Sequence, residues 1–233
     1  MFTLETVVPW GRTYDEYCRM FALGERELER SILGCGDGPA SFNAEATERG
    51  VRVVSFDPLY RLSAGEIEAR IAATSRQVIE QTRANADEFV WKAIPSIDAL
   101  IRIRQSAMRR FLEDYEEGRA AGRYVDAELP ALPFPDATFD LALCSHLLFL
   151  YSTQLDEAFH VRAVRDLCRV AREVRIFPLL ALGGRPSPHV KPVMAALGRD
   201  GFDVSIETVG YEFVRGGNQM LRIARPEPVE GSR

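Results

Sequence analysis

The sequence lacks the features that mark secreted, zinc-binding and membrane-spanning proteins. Its 233 residues include four cysteines and three histidines. No two cysteines have Cys-x-x-Cys spacing, so neither a disulfide framework nor a structural metal site is expected. No segment approaches the ~20 uninterrupted apolar residues that cross a bilayer, and the first residues lack a basic stretch followed by an apolar one. The sequence therefore favours reduced thiols, no membrane contact and a cytoplasmic location.

Basic residues are also fewer than acidic ones. Lys and Arg number 29 against 34 Asp and Glu, which gives a net charge of −5. Proteins that capture a polynucleotide backbone electrostatically usually carry a basic surface, so nucleic acid is not an expected partner. What the chain does have is length and a hydrophobic content of 46%, which fit one sizeable core better than two small ones.

Strand-like runs alternate with helical patterns along most of the chain. The strand-like segments are 31–33, 51–56, 123–125, 139–144, 174–177, 204–209 and 219–223, and helical patterns cover 14–30, 40–49, 155–172 and 190–199. Such alternation is typical of a mostly parallel sheet with helices on both faces and ligands at the carboxyl ends of its strands. The last two strands, with Gly216 and Gly217 between them, are expected to pair as an antiparallel hairpin.

Two long helical patterns fill residues 63–118. Ser63 and Glu66 have the spacing of a Ser-x-x-Glu capping box, and apolar residues recur at helical spacing on both sides of a break at 94–96. We interpret this stretch as a helical insertion in a single domain of residues 1–225, serving as a lid or as a packing surface. The Pro- and charge-rich tail, 226–233, is expected to be disordered.

A glycine turn, Gly-Cys-Gly-Asp-Gly at 34–38, follows the first strand. Glycine permits backbone angles closed to other residues and lets a ligand approach the main chain. A dinucleotide-binding fingerprint requires Gly or Ala at position 39, where this chain has Pro39. An NAD-dependent reductase is therefore a weaker alternative.

Carboxylates end the next two strands. Asp57 ends the second strand, where it can accept hydrogen bonds from both hydroxyls of a ribose. Asp126 ends the third strand, where it can accept one from an adenine amino group, with the Ala127 backbone nearby. The combination suits a ligand with an adenosine half and a zwitterionic half, because the cationic groups that a pyrophosphate would favour are missing.

Four segments resemble the motifs of class I S-adenosylmethionine-dependent methyltransferases. They are ILGCGDGPASF, VVSFDPLY, VDAELPALPFPDATFDLALCSHLLFL and the closing hairpin. The similarity covers residues 28–60 and 120–225, and its most specific part is 132–141. It implies a Rossmann-like, doubly wound seven-stranded α/β sheet with an antiparallel last strand. The helical insertion, between strands 2 and 3, falls where the family has a shorter segment. It also implies S-adenosylmethionine as the cofactor.

The resemblance also assigns cofactor-binding residues. In the family, the glycine turn contacts the methionyl part, the acid at the second strand end holds the ribose, the acid at the third reads the adenine, and the segment after the fourth strand lies beside cofactor and substrate. The matching residues here are Gly34, Cys35, Gly36 and Gly38; Asp57 with Pro58; Asp126 with Ala127; and Ser145 with His146. The family usually has an acid where this chain has Ile32, so backbone carbonyls are expected to hold the cofactor's ammonium group.

Few other side chains are needed for methyl transfer, because positioning dominates the reaction. A general base is required only when the nucleophile arrives protonated, and His146 is the candidate because neutral imidazole accepts protons near pH 7. Upstream of the first strand, Arg12 is a candidate partner for the cofactor carboxylate. No metal is expected.

The acceptor is expected to be a small molecule, because residues 144–147 differ from the Asp/Asn-Pro-Pro-Tyr/Phe signature of enzymes that methylate amino groups of bases or glutamine. One alternative is an RNA or protein methyltransferase whose partner docks on arginines of the insertion: Arg102, Arg104, Arg109 and Arg110. A second is a non-catalytic module that binds the cofactor or its demethylated product, a possibility that Ile32 suggests. The sequence does not specify an oligomeric state.

Overall fold

The computed structural model describes residues 9–226 of the chain. Its strands are β1 (Ile32–Cys35), β2 (Val53–Phe56), β3 (Tyr124–Val125), β4 (Phe139–Ser145), β5 (Ala171–Phe177), β6 (Asp203–Thr208) and β7 (Gln219–Ala224). They form one sheet in the order β3-β2-β1-β4-β5-β7-β6, in which β7 is antiparallel to both of its neighbours. The predicted fold, a seven-stranded Rossmann-like sheet with an antiparallel last strand, is confirmed.

Seven α-helices accompany the strands within the described residues. They are α1 (Tyr14–Met20), α2 (Glu25–Leu28), α3 (Phe42–Glu48), α4 (Ala64–Ala84), α5 (Ile97–Ala120), α6 (Glu157–Val170) and α7 (Val190–Arg199). The prediction of one continuous helix over 14–30 is wrong, because two helices, α1 and α2, occupy this stretch with a break between them. The chain leaves the helical conformation at Ala22, whose φ is 49°, and Phe21 and Leu23 turn into the core. None of these helices is long and apolar enough to cross a membrane.

Hydrophobic cores lie on both faces of the sheet because alternate residues of a strand point in opposite directions. On β1, Leu33 packs in a cluster with α6 and α7, whereas Ile32 packs in a cluster with α1 and α3. All four β1 residues are buried, as expected for a central parallel strand covered on both sides. Covering helices leave only the strand ends open to ligands.

Helices α4 and α5, with the loop at 85–96, lie between β2 and β3; we call them the cap. The capping box predicted at Ser63 and Glu66 starts α4. Tyr60 packs against three rings that join the cap to β3: Phe111, Tyr115 and Tyr124. The cap is therefore anchored to the sheet at the end of β2.

The cap loop is also joined to the connection between β6 and β7. The Val90 amide donates to the Phe213 carbonyl at 2.7 Å, and the Arg215 amide donates to the Glu88 carbonyl at 3.0 Å. The rings of Phe89 and Phe213 stack beside these bonds with centroids 4.8 Å apart. This junction, called the strap below, brings residues far apart in the sequence to one side of the sheet. The tail predicted to be disordered lies, beyond Pro226, outside the described residues.

Candidate functional site

A cavity of about 500 Å³ opens at the carboxyl ends of β1, β2 and β4. Gly36, Asp57 and Ser145, which lie at those three strand ends, all line it. Its other walls come from the cap, the strap and the segments that follow β4 and β5. The volume falls in the range of small-molecule sites, and the position is the one predicted from the alternation of strands and helices.

The glycine turn needs glycine for its backbone geometry. Gly36 and Gly38 have φ values of 64° and 51°, in the left-handed region that other residues rarely occupy. A Cβ on Gly36 would also lie 2.7 Å from Leu147 Cδ2. The turn is held by the Gly36 amide, which donates to the Phe56 carbonyl at 2.9 Å. Main chain, rather than side chain, therefore faces the cavity at these two positions.

Asp37 is a site residue that sequence reasoning missed. Its side chain is 7% exposed and lines the cavity. Oδ1 accepts a hydrogen bond from the Tyr17 hydroxyl at 2.7 Å, and Oδ2 accepts one from Ser55 Oγ at 2.6 Å. Burial raises the pKa of Asp37 to about 6 despite these bonds. Among residues 9–226 it has no ion-pair partner, so a buried acid faces the cavity without a counterion.

Gly34 makes room for Asp37. A Cβ at Gly34 would lie 1.8 Å from Asp37 Oδ2, a distance at which the carboxylate must move. We expect Gly34→Ala to lower the free energy of unfolding by about 1–3 kcal/mol, the usual result of overpacking. Urea unfolding measures this difference.

The matched comparison is the same substitution in an Asp37→Ala background. Without the carboxylate the added methyl group meets no obstacle from residue 37, so Gly34→Ala should cost much less there. An equal cost in both backgrounds would show that Gly34 is required for some other reason.

Asp57 joins the glycine turn to the end of β2. Its Oδ2 accepts from the Gly38 amide at 2.9 Å and its Oδ1 accepts from the Leu59 amide at 2.8 Å. Burial raises the pKa of Asp57 to about 6, with the two backbone bonds acting in the opposite direction. A carboxylate oxygen accepts more than one hydrogen bond, so both oxygens keep acceptor capacity for a ligand.

Arg12 is a half-buried cation that lines the cavity. One guanidinium nitrogen donates to the Trp10 carbonyl at 2.6 Å, and buried Nε has no hydrogen-bond partner. Burial, followed by the charge of Arg104, lowers the pKa of Arg12. Among residues 9–226 no carboxylate lies within ion-pair distance of it. Leaving the buried Nε of this half-buried guanidinium without an acceptor is costly unless a ligand supplies one.

Arg104 on α5 reaches the same cavity from the cap. It is 1% exposed and donates from both terminal nitrogens to Glu16, which is 2% exposed. The prediction that Arg104 belongs to a surface for docking a macromolecule is wrong. An inward helix position placed it opposite a buried carboxylate on α1. Arg102 and Arg109 are exposed and Arg110 is half-buried, paired with Glu48.

His146 lines the cavity just after β4. Its Nδ1 lies 2.9 Å from Ser145 Oγ, and its ring packs edge-on against Phe177. Burial, and then the charges of Arg12 and Arg104, lower the pKa of His146 well below its ordinary value. The imidazole is therefore neutral at physiological pH, and its Nε2 has no hydrogen-bond partner within residues 9–226.

The other sequence-predicted residues are divided between the cavity and its surroundings. Pro58 and Ser145 line it with Gly36, Gly38, Asp57, Arg12 and His146. Gly34 and Cys35 are buried and are not among the lining residues. Burial raises the pKa of the Cys35 thiol well above its ordinary value. Asp126 is exposed and Ala127 half-buried; the next two residues, Glu128 and Leu129, are the ones that line the cavity.

Comparison with known proteins gives one sequence relative of nearly equal length. No protein-family model matches the chain. The uncharacterised protein MJ0045 of Methanocaldococcus jannaschii is 33% identical over 223 residues, which cover 95% of this chain and 98% of that protein.

Solved structures resemble the chain at low identity. Magnesium protoporphyrin IX methyltransferase (ChlM) of Synechocystis PCC 6803 with bound SAM is 11% identical, with a TM-score of 0.45 and 91% of each chain covered. The pyocyanin biosynthetic protein PhzM is 16% identical with a TM-score of 0.44, covering 91% of this chain and 54% of that one. The chain therefore spans about half the length of PhzM.

Proposed function

We propose that this chain, which belongs to the same family as the uncharacterised protein MJ0045 of Methanocaldococcus jannaschii, is an S-adenosylmethionine-dependent methyltransferase that acts on a small molecule. The observation that carries the proposal is a pair of opposite charges that line one cavity and form no ion pair with any of residues 9–226. Asp37 supplies a buried acid and Arg12 a half-buried guanidinium whose Nε is buried, both beside the glycine turn. This arrangement complements an amino-acid zwitterion.

Each of the two charged residues binds one group of the cofactor's amino-acid end. Arg12 pairs with the carboxylate, since a guanidinium donates in a geometry that carboxylates match. Asp37 accepts from the ammonium group. It thereby takes the role of the family acid that is missing at Ile32, a fully buried core residue. The sequence suggested backbone carbonyls for this role, whereas the position of Asp37 favours a side chain five residues further on.

We assign the adenosine end to the strand ends, as the resemblance implies. Asp57 holds the ribose hydroxyls with the acceptor capacity that its two backbone bonds leave over. Asp126 with Ala127 remains our proposal for the adenine amino group, at the end of β3. When bound, S-adenosylmethionine supplies a methyl group already activated on a sulfonium. The chain's own residues bind, orient and exclude water.

The size and walls of the cavity favour a small acceptor over a macromolecule. About 500 Å³ is within the range of small-ligand sites, and residues of both the cap and the strap line it. Arg104, a candidate for contacting a phosphate backbone, is buried and pairs with Glu16. An RNA partner would therefore find one exposed arginine fewer on the cap than the sequence predicted.

Binding of the demethylated cofactor, S-adenosylhomocysteine, tests the proposal directly. We expect calorimetry to detect one site, and Asp57→Ala to weaken binding by about 1–3 kcal/mol, as when buried hydrogen-bonding groups lose their partner. That loss corresponds to about 5- to 150-fold in Kd.

Glu68→Ala is the matched control, because Glu68 is an exposed acid on the outer part of α4. It should bind like the wild type. Absence of binding by the wild-type protein would overturn the proposed cofactor. Equal binding by wild type and Asp57→Ala would remove the ribose assignment alone. Binding without methyl transfer to any acceptor in a broad panel would indicate a non-catalytic module instead.

A further inference from the structure

We propose that His160 is a positioning residue that holds the loop after β4 in the wall of the cavity only while its imidazole is neutral. Uptake of one proton by His160 then releases the loop. We call residues 146–155 the β4 loop. The device does not depend on which ligand the cavity binds, and so it goes beyond the proposed function.

The β4 loop forms part of the cavity wall in a strained conformation. Five of its ten residues line the cavity: His146, Leu147, Leu150, Tyr151 and Leu155. Phe149 is fully buried and has a φ of 67°, in the left-handed region that bulky residues avoid. Such a conformation persists only where the surrounding structure holds it. The shape of the loop therefore depends on the contacts of Phe149.

His160 on α6 supplies two of those contacts. Its Nε2 accepts a hydrogen bond from the Phe149 amide at 3.0 Å, and its ring stacks on the Phe149 ring with centroids 5.4 Å apart. His160 is itself 0% exposed. The segment after β5 is bonded to the same loop, since the Leu182 amide donates to the Leu150 carbonyl at 2.9 Å. Both segments of the wall therefore depend on this loop.

The partners of His160 fix the position of its proton. A backbone amide can only donate, so Nε2, which faces the Phe149 amide, carries a lone pair. Nδ1 lies 2.8 Å from the Asp156 carbonyl, which can only accept, so Nδ1 carries the proton. His160 is thus held as the neutral Nδ1–H tautomer.

A second proton on His160 is incompatible with this arrangement. It would lie on Nε2, where two N–H groups would face each other and the buried Phe149 amide would lose its acceptor. Burial lowers the pKa of His160, and the charge of His189 acts in the same direction, whereas the carbonyl and carboxylate of Asp156 oppose them. His189 and Asp156 are the titratable groups that act on it within residues 9–226. Protonation therefore accompanies release of the loop.

His189 contacts the same loop without this sensitivity. Its ring lies 4.6 Å from that of His160, centroid to centroid, and its Nε2 lies 3.1 Å from the Ser152 carbonyl. Since a carbonyl only accepts, Nε2 donates to it, and a protonated ring donates there as well. A proton on His189 thus preserves its bond to the loop.

The sign of the pH effect follows from the lowered pKa of His160. In the released loop His160 meets water and its pKa returns toward the ordinary value of 6.5, so the open state binds more protons than the closed one. The equilibrium constant for opening is therefore constant well above pH 6.5 and increases as the pH falls below it, down to the lowered pKa of the closed state. Uptake of one proton limits this increase to about tenfold per pH unit.

Hydrogen exchange followed by NMR tests the proposal on the ligand-free protein. We expect the opening constant of the Phe149 amide, corrected for the intrinsic exchange rate, to be severalfold larger at pH 5.5 than at pH 7.5. The Leu182 amide, which is bonded to the same loop, should show the same dependence. An opening constant of the Phe149 amide that is equal at the two pH values would overturn the proposal.

Two variants identify the histidine that takes up the proton. His160→Gln removes the titration and keeps an acceptor, because its side-chain oxygen can accept from the Phe149 amide, so the dependence on pH should disappear. His146→Asn is the matched control in the same loop. Asn tolerates the φ of 55° at this position, and the dependence should remain. A dependence that survives in His160→Gln and disappears in His146→Asn would assign the proton to His146 and overturn the proposal.

The tautomer of His160 provides a test that needs no folded variant. Nitrogen-15 NMR of the imidazole rings distinguishes the Nδ1–H, Nε2–H and imidazolium forms. We expect the ring of His160 to be the Nδ1–H form at pH 7.5. An Nε2–H or imidazolium ring there would contradict the proposal.

Saturation with S-adenosylhomocysteine separates this proposal from the proposed function. At one hundred times Kd, a ligand that requires the closed loop should lower the opening constant of the Phe149 amide about a hundredfold. Failure of the wild-type protein to bind S-adenosylhomocysteine would contradict the proposed function, while the pH dependence of the ligand-free protein would still support the role of His160. Binding that leaves the opening constant unchanged would show that the β4 loop is no part of the ligand site, and would overturn that role.

Discussion

Arg104→Met is expected to lower the free energy of unfolding at pH 7 by about 3–5 kcal/mol, the usual cost of removing one partner of a buried ion pair. Arg104 and Glu16 are 1% and 2% exposed, so water cannot replace the lost bonds. The variant would keep the Glu16 carboxylate buried, with the Tyr211 hydroxyl, 2.8 Å from Oε1, as one of its remaining donors. Urea unfolding measures the loss.

The loss should shrink in acid. Burial alone would raise the pKa of Glu16, but the charge and hydrogen bonds of Arg104 hold it well below the ordinary value of 4.5. The wild-type pair therefore stabilises the fold above pH 4.5, and this contribution disappears as the pH falls through the lowered pKa. In Arg104→Met, burial favours the protonated acid, so the deficit relative to wild type is smaller at pH 4.5 than at pH 7.

Two controls separate the buried pair from a general effect of arginine. Arg110→Met removes a half-exposed pair on the same helix and should cost less than about 1 kcal/mol. The double variant Glu16→Gln/Arg104→Met removes the uncompensated charge and should recover part of the loss. A deficit that does not change between pH 7 and pH 4.5 would mean that packing, and not the charge of Glu16, explains it.

Asp37→Asn is expected to weaken S-adenosylhomocysteine binding by about 2–5 kcal/mol, because it removes one partner of a buried charge pair between protein and ligand. The pKa of Asp37 in the ligand-free protein is about 6. The affinity of the wild-type protein for S-adenosylhomocysteine should therefore rise as the pH increases through 6 and level off above it. The amide cannot ionise, so the variant should lack this contribution. Calorimetry from pH 5 to pH 8 measures both effects.

Adenosine provides the control, because it lacks the amino-acid half. It should bind wild type and Asp37→Asn alike, and any dependence on pH near 6 that it shows reports Asp57, whose pKa is also about 6. If adenosine loses as much affinity as S-adenosylhomocysteine, Asp37 supports the shape of the turn and does not hold the ammonium group.

Local sequence patterns were enough to predict most of the strands and helices. Helix α7 begins and ends at the predicted residues, because its apolar spacing and the stop at Gly201 are both local signals. Gly38 and Asp57, recognised from their positions at strand ends, do meet in space. The alternation of strands and helices predicted a mostly parallel sheet, and the resemblance added the antiparallel last strand, but the strand order was not predicted.

The residues that sequence reasoning missed depend on contacts between distant segments. The position of Asp37 requires the hydroxyls of Tyr17 and Ser55 and the missing Cβ of Gly34, and no spacing rule connects these four residues. Arg104 was assigned to the surface because it is charged, although it lies four residues after Leu100 and four before Met108, on the apolar stripe of α5. The pattern of α5 does not reveal its buried partner, Glu16, which lies on another helix.

The strap makes the stability of the cap depend on what the cavity holds. Two backbone hydrogen bonds join its sides, and residues of both sides, Phe89 and Phe213, line the cavity. A ligand that touches both is released when the strap opens, so local opening and binding are thermodynamically linked. At a ligand concentration one hundred times Kd, opening becomes about 2.7 kcal/mol less favourable. Proteases should therefore cleave the cap loop faster in the ligand-free protein than in the protein saturated with ligand.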